Sequence, residues 1–158
     1  MILYHGTNMD FDRIDIRKSN PYKDFGQGFY LTDIQEQARN LAAKKTRIFG
    51  GEPIVMQFLF DENMLSDTGN EIKVLKFDLP NKEWAEFIYK NRNREMDFHH
   101  DYDIVTGPIA NDGVAYLLGR YEEGTITLEE LARELEYKQL NSQYFFGTNR
   151  AIKLLHRI

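Results

Sequence analysis

A chain of 158 residues with 42% hydrophobic and 13% aromatic content is large enough to bury one compact core, and its 28% charged residues are ordinary for a globular protein. This excludes a chain that stays disordered and predicts a single domain over 1–158. The formal charge of −5 argues against a broad basic footprint for nucleic acid, and the absence of cysteine excludes disulfides and thiolate metal sites. With no signal-like start and no apolar run near the ~20 residues that span a bilayer, a cytoplasmic protein with no membrane partner is expected.

Residues 2–7 (ILYHGT) read as a strand, followed by a long polar loop carrying Pro21. A short strand centred on Phe29 to Leu31 follows two glycines. Asp33 with Glu36 forms a capping pair for a helix to about Arg47, which turns Ile34, Ala38, Leu41 and Ala42 inward. Lys44, Lys45 and Arg47 complement the negative end of that helix. Strands are predicted at 53–60 and 72–77, together supplying much of the sheet, with a loop containing Asp67 and Gly69 between them. Residues 81–92 read as a helix with Trp84, Phe87 and Ile88 inward, and 103–109 as a buried strand ended by Pro108. Two short helices come next, the second capped by Thr127 and Glu130 and burying Leu128, Leu131 and Leu135. A last strand at 143–147 precedes a C-terminal helix carrying Ile152, Leu155 and Ile158. The irregular order favours an α+β arrangement over a doubly wound parallel sheet.

The unusual chemistry sits beside two short strands, Tyr4-His5-Gly6-Thr7 and Gly26-Gln27-Gly28-Phe29-Tyr30, where glycines permit close backbone approach to a flat ligand. Strand alternation puts Leu3, His5 and Thr7 on one face, so His5 and Thr7 can point into one cleft. Read from pattern alone, a histidine near a terminus is an ordinary structural residue and Gly-Phe-Tyr ordinary strand material. His99-His100-Asp101 does not suggest a metal site, because adjacent side chains diverge and no spaced partner is evident. No metal is expected.

The strings YHGT (4–7) and GQGFYLTD (26–33), followed by an alanine-containing helix, resemble the first two motifs of the ADP-ribosyltransferase superfamily, in its histidine-tyrosine-glutamate branch. That branch includes the catalytic domains of diphtheria toxin and of poly(ADP-ribose) polymerases. The whole chain also resembles an uncharacterised bacterial domain family of that superfamily, to which YDIVTGPIAND (102–112) and QYFFGT (143–148) correspond. The resemblance implies split mixed and antiparallel β-sheets flanked by helices. It implies NAD as the substrate, with His5 on the adenosine ribose, the Gly6 backbone on the nicotinamide carboxamide, and Tyr30 stacked on the nicotinamide ring. Thr7 and Gly28 would adjoin the ligand, and Arg17 would reach a pyrophosphate as a bidentate donor, although a loop arginine is ordinarily solvated.

Where such enzymes carry a glutamate, this chain has Gln143, an amide that fixes a ribose hydroxyl but cannot act as a base. A second aromatic residue found in some relatives corresponds to Leu41, which its helical spacing assigns to the core. Asp103, Asp112 and Asp24 sit at strand ends and turns, where carboxylates cap or are solvated, with Asp112 retained as an auxiliary acid. The expected activity is mono-ADP-ribosylation of a macromolecular acceptor, protein rather than nucleic acid, as in a bacterial toxin or defence effector with an antitoxin partner. NAD hydrolysis, or NAD or ADP-ribose binding by a catalytically weak interaction module, are the alternatives.

Overall fold

The computed structural model describes residues 1–66, 71–136, 138 and 140–158. The predicted loop at Asp67 and Gly69 lies outside the described residues. Among the described residues seven strands form two sheets. In the first, β1 (Ile2–Thr7) pairs antiparallel with β3 (Ile54–Leu59), which pairs antiparallel with β7 (His156–Arg157). The second has the order β2-β6-β5-β4, from β2 (Phe29–Leu31), β6 (Ser142–Phe146), β5 (Ile104–Pro108) and β4 (Val74–Lys76), with β4 parallel to β5 and the other pairs antiparallel. The chain is therefore α+β with two mixed or antiparallel sheets. The two predicted strands at 53–60 and 72–77 lie in different sheets, a correction to the single sheet expected of them.

Alternation along the strands sorts the core into two layers. Leu3, Phe29, Leu31, Met56, Phe58, Ile104 and Phe146 fill the space between the sheets. Their neighbours Val105 and Phe145 project from the far face of the second sheet onto α2 (Lys82–Arg92), α3 (Asp112–Glu122) and α4 (Leu128–Leu135), meeting Trp84, Ile88, Val114, Leu118 and Leu131. The helix starts follow local chemistry. Asn81 accepts from the Trp84 amide at 2.9 Å, Asn111 accepts from the Val114 amide at 3.0 Å, and Thr127 with Glu130 closes the expected capping box.

α1 (Gln35–Phe49) covers the outer face of β1. Gly6 makes this possible: a Cβ there would come within 2.1 Å of the Ala38 carbonyl oxygen, so helix and strand meet backbone to backbone. Only Ala38 and Ala42 fit in that contact, whereas Ile34 and Leu41 stand exposed on its flanks, Leu41 at 44%. The expected core placement of Ile34 and Leu41 is thereby corrected. So is the start of the helix, which has no side-chain cap from Asp33; Thr32 Oγ1 instead accepts from the Ile34 amide at 3.1 Å.

The C-terminal segment also departs from expectation. A single helical turn, α5 (Asn149–Ile152), is capped by Thr148, after which Leu155 enters the inter-sheet core and His156–Arg157 pair with β3. In place of the expected helix the chain end is held to β3, the Ile158 amide donating to the Gln57 carbonyl at 3.1 Å, while Arg157 donates to the Phe11 carbonyl at 2.9 Å and to Asp10 at 2.7 Å. Among the described residues no helix is long and apolar enough to cross a membrane.

Candidate functional site

The two sheets touch along one seam. Tyr4 of β1 and Thr32, just beyond β2, exchange both backbone hydrogen bonds, at 2.7 and 3.0 Å. Past this pair the strands part, and a cavity of about 450 Å³ opens between them, closed at the side by α1. Tyr4, Gly6, Tyr30, Thr32 and Gln143 line it, along with Leu41 and Lys44 from α1 and Lys23 and Asp24 from the loop before β2. β1 therefore faces the cavity with Tyr4 and Gly6 and not with His5 and Thr7, whose alternate positions look the other way.

Antiparallel pairing leaves every second residue of β1 with its amide and carbonyl directed away from β3. Because Tyr4 spends those groups on Thr32, Gly6 aims its own at the opening. Its carbonyl accepts from Lys45 Nζ at 2.9 Å. Across the gap, the Tyr30 ring packs edge-on to Phe145 at 5.2 Å between centroids, and Lys23 Nζ lies 4.7 Å over the ring. The phenol is fixed: it donates to the Gly26 carbonyl at 2.7 Å and accepts from the Phe25 amide at 3.0 Å, and burial pushes its pKa upward. Lys45 is pushed down from the usual lysine range, by burial and then by the neighbouring Lys23.

His5 lies on the inter-sheet side, its ring 4.4 Å from that of Phe29 and 6.0 Å from that of Phe11. Nδ1 is 2.8 Å from the Tyr30 carbonyl, an acceptor only, so Nδ1 carries the proton and donates. This bond ties the parting strands together. Burial lowers the His5 pKa to about 4 despite the Tyr30 carbonyl, and Lys45 and Lys23 push it the same way, so the imidazole is neutral and its Nε2 is an acceptor.

Gln143, buried on β6, turns its amide nitrogen to two acceptors, Asp24 Oδ2 at 3.2 Å and the Pro108 carbonyl at 3.3 Å. The other Asp24 oxygen, Oδ1, receives Arg92 of α2, through Nε at 2.7 Å and Nη2 at 2.5 Å. In the sequence Asp24 is a turn carboxylate and nothing more. Its partners lie 68 and 119 residues away, so only its place beside the glycine turn was locally visible.

The remaining candidates are placed elsewhere. Thr7 is buried and donates to the Met9 carbonyl at 3.2 Å within a turn. Arg17 is exposed and paired with Asp15 at 3.0 Å. Gly28 serves packing, since a Cβ would meet the Phe145 ring at 2.3 Å. Asp103 is fully buried and bound by Thr148 Oγ1 at 2.6 Å, the Lys73 amide at 2.8 Å and Arg150 at 2.9 Å; Asp112 sits exposed in the first turn of α3. His100 meets the Phe25 carbonyl and the Tyr102 amide, while His99 meets Asp97. Among the described residues no three His, Asp or Glu side chains gather to hold a metal ion.

Fold and site together define a two-sheet α+β domain with a cleft at the seam between the sheets, walled by a strand edge, an aromatic ring and lysines. Residues 1–157 match the family described as "Protein of unknown function (DUF3990)", and the chain belongs to that family. No curated protein and no solved structure matches it.

Proposed function

We propose that the protein is an NAD-dependent mono-ADP-ribosyltransferase that binds NAD at the seam, releases nicotinamide and passes ADP-ribose to a macromolecular acceptor. The observation that carries this reading is the opposition of Gly6 and Tyr30. A strand-edge amide and carbonyl from one residue match the carbonyl and amino group of a carboxamide, and an aromatic face opposite suits a flat cationic ring. Nicotinamide in NAD has both features. The lysines at the opening, Lys23, Lys44 and Lys45, suit the pyrophosphate that the same molecule carries, and Lys23 and Lys45 have to move off the Tyr30 ring and the Gly6 carbonyl for both contacts to form.

His5 supports the reading from behind the strand. Its Nδ1–H holds the Tyr30 backbone, which sets the width of the gap. Gln143 favours a second reading, in which NAD or ADP-ribose is bound with little turnover, because its neutral amide positions a ribose but cannot take a proton. The test is incubation with NAD labelled on the adenylate group and a cell lysate, following free nicotinamide and labelled macromolecules, with Tyr30→Ala and His5→Ala beside the native protein. Label that depends on both residues supports a transferase, and nicotinamide release without label supports hydrolysis. Binding with neither signal supports the second reading, and no NAD binding defeats all three.

A further inference from the structure

We propose that Asp24 is the catalytic carboxylate of this site, delivered from the loop before β2, and that Gln143 is its positioning residue. The inference rests on the NAD reading. Asp24 is the one carboxylate among the described cavity-lining residues. Arg92 takes Oδ1 with both of its contacts, leaving Oδ2 with a single neutral partner, the Gln143 amide at 3.2 Å. Both guanidinium contacts fall on the same oxygen, so the second oxygen is left to the amide. Here the fork anchors one oxygen and the amide aims the other. Both partners of the Gln143 nitrogen are acceptors, so its orientation is determined by them. Asp24 is held from two elements, α2 and β6, and its side chain is 14% exposed, which gives it a fixed direction toward the cavity in a partly desolvated setting.

The chemistry follows from that placement. The bond between the ribose anomeric carbon and the nicotinamide nitrogen breaks, and its electron pair leaves with nicotinamide, which becomes neutral. Positive charge grows on the ribose, where the Asp24 carboxylate stabilises it. An acceptor O–H or water then forms the new bond to the anomeric carbon, and its proton passes to Asp24 Oδ2 and on to solvent. No oxidant or further reactant is needed. Gln143 touches Asp24, and its share in the rate is exerted through that contact.

The experiment measures nicotinamide release and NAD binding, by titration calorimetry, on the full chain. Asp24→Asn is expected to lower kcat about 100-fold or more while NAD affinity stays within about threefold. Adding Gln143→Glu to Asp24→Asn is expected to restore turnover at least about tenfold, since a carboxylate then returns from the β6 side, a recovery that a purely structural role would not produce. Gln143→Glu alone is expected to lower turnover at least about threefold, because the aiming amide is lost and two carboxylates about 3 Å apart cannot both ionise freely. That variant carries the test even if Asp24→Asn fails to fold. A folded, NAD-binding Asp24→Asn protein with native kcat overturns the assignment, as does turnover at or above the native level in Gln143→Glu alone. Native protein that binds NAD without turnover also overturns it but leaves the NAD site standing, whereas native protein that does not bind NAD overturns both.

Discussion

Lowering the pH from about 7 to about 5 should destabilise the protein through His5 in particular. In the folded chain the imidazole is packed against Phe29 and Phe11 with Nδ1 on the Tyr30 carbonyl, and its pKa falls from 6.5 to about 4. The unfolded chain therefore binds the proton first. Between these two values each step toward acid favours the unfolded state, so the stability present above 6.5 drains away as the pH falls toward 4. The gap of about 2.5 units corresponds to about 3 kcal/mol in total, of which about 2 kcal/mol is lost between pH 7 and pH 5. Carboxylates titrate over part of the same range, so the comparison is with His5→Asn, whose amide can still donate to Tyr30 but cannot titrate. Urea unfolding of both proteins at the two pH values isolates the histidine: the native protein should lose about 2 kcal/mol more than the variant. Equal losses would mean that His5 is not held as a buried neutral ring. The proposed role of its Nδ1–H in holding the gap at Tyr30 would fall with it.

Gly6→Ala places a methyl group 2.1 Å from the Ala38 carbonyl oxygen, which only a shift of α1 can relieve. An expected loss of about 3 kcal/mol should lower the melting temperature by roughly 6–12 °C and weaken NAD binding, whereas an unchanged melt would refute the backbone contact between α1 and β1. Asp103→Asn replaces a carboxylate that burial alone would push up but that the Lys73 amide, Thr148 and Arg150 together hold below its usual range. It should cost about 3 kcal/mol by urea unfolding without altering nicotinamide release from whatever protein remains folded.

The elements legible in the sequence are those whose signals are local. α2 and α4 carry their caps at Asn81 and Thr127 and their apolar faces at helical spacing, so both were readable to within a residue or two. The C-terminal strand was not, because Ile152, Leu155 and Ile158 mimic a helical stripe. What holds the chain as an edge strand is its pairing with Phe58 and Leu59 of β3, far away in the sequence. The exposed position of Leu41 was hidden for a related reason: the helix face that turns inward depends on how close Gly6 lets it come, which no spacing within α1 records.

The candidate site divides along the same line. Tyr30 and Gly6 were visible because each stands in a short string with its glycine neighbours, and the structure brings both to the cavity wall. His5 was visible too, but strand alternation was read on the wrong face, since the side of β1 that meets the seam is decided by the Tyr4 to Thr32 pairing. Asp24 shows what local reading misses. Comparing position 143 with a glutamate asks whether the carboxylate stands on one particular strand, yet the field at a reacting ribose depends on where the charge lies in space. A carboxylate anchored by α2 and aimed by an amide from β6 can serve that point from beside position 143. On that view the amide at 143 is the complement of Asp24: a glutamate in its place would repel the carboxylate that this site already holds.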